Sequence, residues 1–422
     1  MTREPGVTAS HTHRSGPERL DWRRNLYVIW IAEFVSIVGF SAAVPFLPYY
    51  VQELGITAPG QAELWSGLLH SLHGLTMGLM APVWGSLADR WGHKPMVVRA
   101  MFGGALLLGA MSAVSNVQQL LVLRTVQGAV TGTVVASTAL VAAGTPVEQR
   151  GMALGALQMG VYLGASFGPA LGGFLADARG YRAPFAVTGA LLGLAGVLVV
   201  QQVREVRMQS DGRPPVAFMD GVRVVVRSPQ VLQVFLVRLL VRSSFRSVDP
   251  MMPLFVQLLV PTQERLSSLV GVVTSTAMIT SAVGSLVIGR YGGRLAARRV
   301  LAVCVMASAA SYALQATVTS VGQLLVLRSV SGLAMGGILT LLSAALANAA
   351  PEGYEGVVFG LGSSVVSAAN AFGPLAGAAI AATWGLRSSF AAAAAGFAST
   401  VVVVLWQGRS GQRRGTPAGP TT

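Results

Sequence analysis

Two acidic residues, Glu33 and Asp249, and five arginines, Arg124, Arg238, Arg242, Arg246 and Arg328, fall inside long apolar runs. An ionisable group in the core of a bilayer is costly, and by default it marks a functional position. Glu33 stands about 10 Å into the first apolar run at helical rise. A carboxylate there can take up a proton from one side of a membrane and release it to the other, or it can close a structural salt bridge. Arg238, Arg242 and Arg246 recur at a spacing of four, so on a helix they form one stripe, with Asp249 close to the same face. Such a stripe cannot face lipid. It either receives an anionic group in a cavity or forms ion pairs between helices. His70 and His73 lack partners at metal-ligand spacing and read as polar packing, and the one cysteine, Cys304, lies in an apolar run with no partner for a disulfide. No nucleophile constellation, phosphate loop or metal cluster is visible, so neither an enzyme nor a cofactor is expected.

The elements that must hold these groups are membrane helices. The chain of 422 residues is 53% hydrophobic and only 11% charged. A soluble domain carries about 25% charged residues. Twelve apolar runs, each near the ~20 residues a span needs, lie at roughly 26–51, 63–87, 95–115, 117–142, 150–177, 183–202, 231–259, 266–289, 299–318, 321–347, 354–382 and 386–407. They leave no room for a separate soluble domain. The polar start of the chain lacks the apolar core and small-residue cleavage site of a secretory leader.

The net charge of +14 is distributed along the chain, not clustered on an aromatic-rich face for nucleic acid. Of the 30 lysines and arginines, 21 lie in the tails and in alternate loops on one side of the spans, among them the segment 203–230. The other side has only Arg179, Arg182, Arg265 and Arg387. The positive-inside rule then puts both termini in the cytoplasm.

The two halves repeat. Gln119 to Gly128 recurs as Gln323 to Gly332, with Arg124 matched by Arg328; Phe167-Gly168-Pro169 recurs as Phe372-Gly373-Pro374; Pro45 and Pro48 recur as Pro250 and Pro253. The offset is always 204 or 205 residues. Six spans separate the copies, so both halves share one topology. Parallel repeats about an axis along the membrane normal are a transporter architecture, with the binding site near the midplane between them.

Five stretches carry a family likeness. Gly85, Asp89, Arg90, Gly92 and Lys94, after the second span, closely resemble the loop motif of the major facilitator superfamily. The second-half counterpart, Gly289 to Arg298, has Gly293 where the acid would stand. Leu121 to Gly128 resembles the family's fourth-helix motif, whose arginine, here Arg124, is linked to proton movement. Gly160, Gly164, Gly168, Pro169 and Gly172 make a bare face with a kink point, similar to the fifth-helix antiporter motif of drug exporters. Gly39 to Pro48 resembles the first-helix pattern of twelve-helix drug/proton antiporters, and Trp22 to Leu26 looks like the opening of a group of bacterial multidrug exporters.

The resemblance implies an all-α membrane protein of the major facilitator fold, with twelve transmembrane helices in two six-helix bundles related by pseudo-twofold symmetry. The expected divisions are a cytoplasmic tail over 1–25, bundles over 26–202 and 231–407, a cytoplasmic linker over 203–230 and a second tail over 408–422. The implied function is proton-coupled efflux of small organic molecules by alternating access. A sugar-type permease or importer on the same fold is the alternative, with a non-transporting receptor or a membrane enzyme behind it. Expected partners are the lipid bilayer, protons and a small-molecule substrate, with no nucleic acid, no metal and a monomeric state. Glu33 and Arg124 are the expected proton-coupling residues, and Arg238, Arg242, Arg246 and Asp249 the expected substrate cavity. Adding 205 to 33 gives 238, so Glu33 and Arg238 occupy equivalent positions and are expected to face each other across the cavity.

Overall fold

The computed structural model describes residues 22–205, 218–260, 265–291, 297–351 and 354–412. Most of both tails, residues 206–217 of the expected linker and part of the second-half loop counterpart lie outside the described residues. Among the described residues there is no β-strand.

The first half holds α1 (Trp22–Ala43), α2 (Leu47–Glu53), α3 (Gln61–Trp91), α4 (His93–Met111), α5 (Val117–Val130), α6 (Thr133–Gly144), α7 (Arg150–Arg179) and α8 (Arg182–Gln202). A short helix, α9 (Phe218–Arg227), precedes the second half. That half holds α10 (Pro229–Val248), α11 (Met252–Leu259), α12 (Leu266–Tyr291), α13 (Ala297–Gln315), α14 (Val321–Ala349), α15 (Glu355–Trp384) and α16 (Leu386–Gln412).

These helices make twelve spans, three of them broken. The first and seventh spans break at equivalent points, where 3₁₀ turns over Val44–Phe46 and Asp249–Met251 carry Pro45 and Pro250. Proline lacks the N–H that would continue the helix, and its ring crowds the preceding turn. The fourth span breaks between α5 and α6 at Gly132, whose φ of +126° favours glycine. Ten spans are long and apolar enough to cross a membrane by composition alone. The other two are α3 and the α10–α11 pair. They are more polar because α3 carries His70, Ser71, His73 and Thr76, and α10 carries Arg238, Arg242 and Arg246. Outside, large apolar side chains stand exposed, including Leu79, Leu106, Leu286 and Trp384. An exposed apolar belt of this kind suits lipid.

The sequence repeat is also a repeat of contacts. Asn116 caps α5 by accepting from the Gln119 amide at 2.9 Å, and Ser320 caps α14 by accepting from the Gln323 amide at 3.4 Å. The halves meet along α3 with α15 and α7 with α12. There the amide of Ala170, just past Pro169, donates to Ser275 Oγ at 3.2 Å, and the amide of Leu375, just past Pro374, donates to Ser71 Oγ at 3.0 Å. Each hydroxyl satisfies a backbone donor next to a proline in the opposite half. The two bonds are images of each other under the 204/205-residue offset.

The first span starts, and the last ends, at what is called here the terminal end; the opposite end is the far end. The cross-half hydrogen bonds among the described residues lie in the far half. Tyr49 Oη donates to the Pro253 carbonyl, and Gln52 Nε2 donates to Gln257 Oε1 at 3.3 Å. Gln52 and Gln257 are equivalent positions, so they meet on the pseudo-twofold axis. Toward the terminal end, open space surrounds Gly85 on α3, Gly155 on α7, Gly289 on α12 and Gly360 on α15. The two halves are closed together at the far end and separate at the terminal end.

Candidate functional site

A cavity of about 320 Å³ lies on the axis between the halves. Its volume falls at the small end of known ligand pockets. The first half contributes Ser36 and Phe40 from α1, His70 and His73 from α3, Arg124 from α5, and Thr131, Gly132 and Thr133 at the break in the fourth span. The second half contributes Arg246, Asp249, Asn370 and Pro374.

Each charged group here has a partner. Arg246 Nη1 pairs with Asp249 Oδ2 at 2.9 Å, and Arg246 Nε donates to Asn370 Oδ1 at 2.8 Å. Arg124 is buried. Its Nη1 donates to Gln127 Oε1, one turn along the helix, and its guanidinium stands 5.4 Å from the centre of the Phe40 ring. His73 packs against the same Phe40 ring, with centroids 5.9 Å apart. Arg124 therefore lines the cavity as a buried group, not as an anchor reaching for the interface. The two histidines, expected to be packing residues, also line the cavity.

The arginine stripe is divided between two cavities. Arg246 and Asp249 face the central one. Arg238 and Arg242 open on another, of about 300 Å³, with Tyr162 of α7 and Thr340 and Ser343 of α14. A helix turns 100° per residue, so a spacing of four drifts by 40° each step. Eight residues of drift carry one end of the stripe away from the axis.

Glu33 lies behind the central cavity wall. Its side chain is fully buried, and it accepts hydrogen bonds from Thr133 Oγ1 at 2.9 Å and Ser137 Oγ at 2.8 Å. The expected pairing with Arg238 across the cavity is absent here. Glu33 faces α6, the second part of the fourth span of its own half, and Arg238 faces α14, the equivalent span of the other half. Symmetry conserves neighbours within each bundle; equivalence gives equal depth but does not make two residues face each other.

The loop motif does two different things. Asp89 and Arg90 are exposed. Gly92 and Lys94 belong to a clasp inside the first half. Glu205, just past α8, accepts from the amides of His93 at 2.6 Å and Lys94 at 3.0 Å. It thereby puts an anion on the N-terminus of α4, where the helix dipole favours one. Gly92 has a φ of +99°, and a Cβ there would lie 2.7 Å from Glu205 Oε2. In return Lys94 Nζ donates to the carbonyls of Val200 at 2.9 Å and Val203 at 2.7 Å. Those carbonyls are at the C-terminus of α8, where a cation is favoured.

The glycine face of α7 packs against α1. A Cβ at Gly164 would lie 2.9 Å from the Phe34 carbonyl, and one at Gly172 would lie 2.0 Å from the Ala42 carbonyl. Gly160 lies under the Trp30 ring, whose Nε1 donates to the Ala156 carbonyl at 2.9 Å. Gly168 sits against Val38 and Ser41, and Ser41 Oγ reaches the Gly164 carbonyl at 3.1 Å. Pro169 instead touches the opposite half, its carbonyl lying against Gly271.

One closure had no forerunner in the sequence reading. Asp177, at the far end of α7, accepts from the Ser267 amide at 3.0 Å, the Ser268 amide at 2.8 Å and Ser268 Oγ at 2.6 Å. A carboxylate from one half caps the N-terminus of α12 in the other. An acid at the end of an apolar run was the only signal available. Thr133, Asn370 and Tyr162 were equally silent, since uncharged polar residues in spans are common.

Two pseudo-symmetric six-span bundles, joined at one end around a mostly apolar cavity that a few charged side chains enter, define a membrane transporter. The chain matches the Major Facilitator Superfamily over residues 29–260 and 258–421, and it belongs to that family. It is a multi-pass membrane protein and a transporter, not an enzyme. Over 405 residues it is 31% identical to the multidrug resistance protein MdtG of Rahnella sp. (strain Y9602), covering 96% of this chain and 97% of that one. Over 372 residues it is 32% identical to the protein of the same name from Dickeya zeae (strain Ech586), covering 88% and 91%. A solved bacterial homologue of the human lysosomal transporter Spinster, described as inward-facing and unoccupied, shares the fold. The TM-score is 0.75 at 14% identity, covering 94% of this chain and 99% of that one.

Proposed function

We propose that the protein exports small organic molecules across the cytoplasmic membrane by alternating access, in exchange for protons. Similarity along nearly the whole chain to proteins named for multidrug resistance supports a broad substrate range. The observation that carries the reading is a mostly apolar cavity between the halves, lined also by Arg124, Arg246 and Asp249, closed at the far end by residues of both halves, with a buried carboxylate one hydroxyl away. Basic residues concentrate on the side of the termini, so the terminal end is cytoplasmic and this conformation opens inward. Export then requires the far end to part and the terminal end to close.

In this reading Glu33 carries the coupling proton, with Arg124 as the fixed positive charge nearby. Arg246 and Asp249 contact substrate in the central cavity. Asp89, Arg90 and Gly85 act when the terminal end closes, while Gly92 and Lys94 hold α4 to α8. The transporter works as a monomer, since each step needs only the two halves of one chain.

Transport in oriented vesicles tests the direction. Everted vesicles energised with an inside-acid gradient should accumulate a fluorescent drug in a protonophore-sensitive manner. Accumulation that instead requires an outward-acid gradient in right-side-out vesicles would identify an importer.

A further inference from the structure

The cavity shared by Arg238, Arg242 and Tyr162 is not explained by drug export through the centre. It contains two guanidinium groups and, among the described residues, neither has a hydrogen bond or an ion pair with a side chain. The nearest acid along the chain, Asp249, just past the end of α10, is already paired with Arg246. Arg242 Nε is buried without a partner. Arg238 lies against α15, where a Cβ at Gly362 would come 3.4 Å from its Nη1. Two like charges one helical turn apart repel, and removing them from water without a counter-charge is costly. Three hydroxyls, those of Tyr162, Thr340 and Ser343, line the same space.

We infer that this cavity is an anion-binding site, which accepts a carboxylate or phosphate head group between Arg238 and Arg242 with Tyr162 donating from the opposite half. Guanidinium forks match the planar geometry of carboxylate oxygens and the oxygens of phosphate. Because Tyr162 belongs to the first half and both arginines to the second, a bound anion draws the halves together on the side that is open here. The anion thus favours closure of the terminal end. The site binds its ligand independently of whether the central cavity exports drugs. Only the consequence for closure rests on the alternating-access reading above.

Two sources offer this chemistry, a soluble organic acid and the phosphate of a lipid head group. The test uses purified full-length protein in nanodiscs of phosphatidylcholine, with radiolabelled benzoate as the probe and neutral benzamide as the control. Wild type should bind benzoate saturably and benzamide not at all. Arg238→Gln and Arg242→Gln should each weaken benzoate binding at least tenfold, and Tyr162→Phe severalfold. Ser343→Asp keeps both arginines but supplies an internal counter-charge, and it should abolish binding while leaving the thermal unfolding temperature unchanged or higher. If an arginine variant fails to fold, this variant decides. Nanodiscs containing phosphatidylglycerol separate the sources: competition with benzoate identifies a lipid head group, and unaltered binding identifies a soluble acid. Equal binding of benzamide, or undiminished benzoate binding in Ser343→Asp, would overturn the site. Loss of drug export with benzoate binding intact would count against the transport reading alone.

Discussion

Thr133 donates a hydrogen bond to Glu33 from one side and lines the central cavity from the other. It is the one described side chain that both lines that cavity and hydrogen-bonds Glu33, and the break at Gly132 puts it there. If protons reach Glu33 through this hydroxyl, Thr133→Val should slow proton-driven export about tenfold with little change in drug affinity. Ser137→Ala removes the other partner, which does not line the cavity, and should have a smaller effect on rate. Equal effects of the two variants would mean that Thr133 is only a structural partner. Rates and binding constants in proteoliposomes provide the comparison.

The break itself is testable. Gly132 has a φ of +126°. Gly132→Ala forces a side chain into a strained region, at about 1–3 kcal/mol. The expected result is a lower unfolding temperature and slower export, accompanied by straightening of the fourth span.

Asp177 closes the far end by capping α12 across the two halves. Removing a cap of this kind costs about 1 kcal/mol, roughly a fivefold change in equilibrium. Asp177→Ala should therefore increase the population with the far end open. On a Cys304→Ser background, spin labels at Gln61→Cys and Thr383→Cys should show a longer distance in the Asp177→Ala protein. An unchanged distance distribution would show that the cap does not hold this gate.

The glycine face of α7 makes two opposite predictions on one helix. At Gly172 a Cβ would meet the backbone of Ala42 at 2.0 Å, and backbone cannot give way. Gly172→Ala should destabilise the protein by about 1–3 kcal/mol. At Gly155 nothing lies within 4 Å. Gly155→Ala should leave stability unchanged or raise it by about 0.5–1 kcal/mol, because alanine is the better helix former. Thermal unfolding of the two variants side by side is sufficient.

The loop motif should likewise divide. Glu205→Ala uncaps α4 and should lower stability by about 1 kcal/mol. Asp89→Asn alters an exposed side chain and should leave stability alone, while slowing turnover because closure of the terminal end is impaired. A stability loss for Asp89→Asn comparable with that of Glu205→Ala would contradict this division.

The internal repeat made much of the fold legible. Ser71 with Leu375 and Ser275 with Ala170 are contacts that the 204/205-residue offset maps onto each other. Pro45 and Pro250 marked the two symmetric breaks, but Gly132 marked a third that the other half does not share, since α14 runs unbroken from Val321 to Ala349. The positions of charges were harder to read. Spacing put Arg238, Arg242 and Arg246 on one stripe, and helical drift divided them between two cavities. Sequence symmetry suggested that Glu33 would meet Arg238, whereas each residue faces the fourth span of its own bundle. Asp177 and Glu205 were missed because both act chiefly on backbone amides, which no side-chain pattern announces.

Proton flux in the Glu33→Gln protein tests the central claim most directly. Proteoliposomes containing a trapped pH dye are given drug in the absence of any imposed gradient. Wild type should move protons against drug. Glu33→Gln should exchange labelled for unlabelled drug at a near-normal rate while moving no protons. Drug-dependent proton movement of wild-type size in Glu33→Gln would contradict the account.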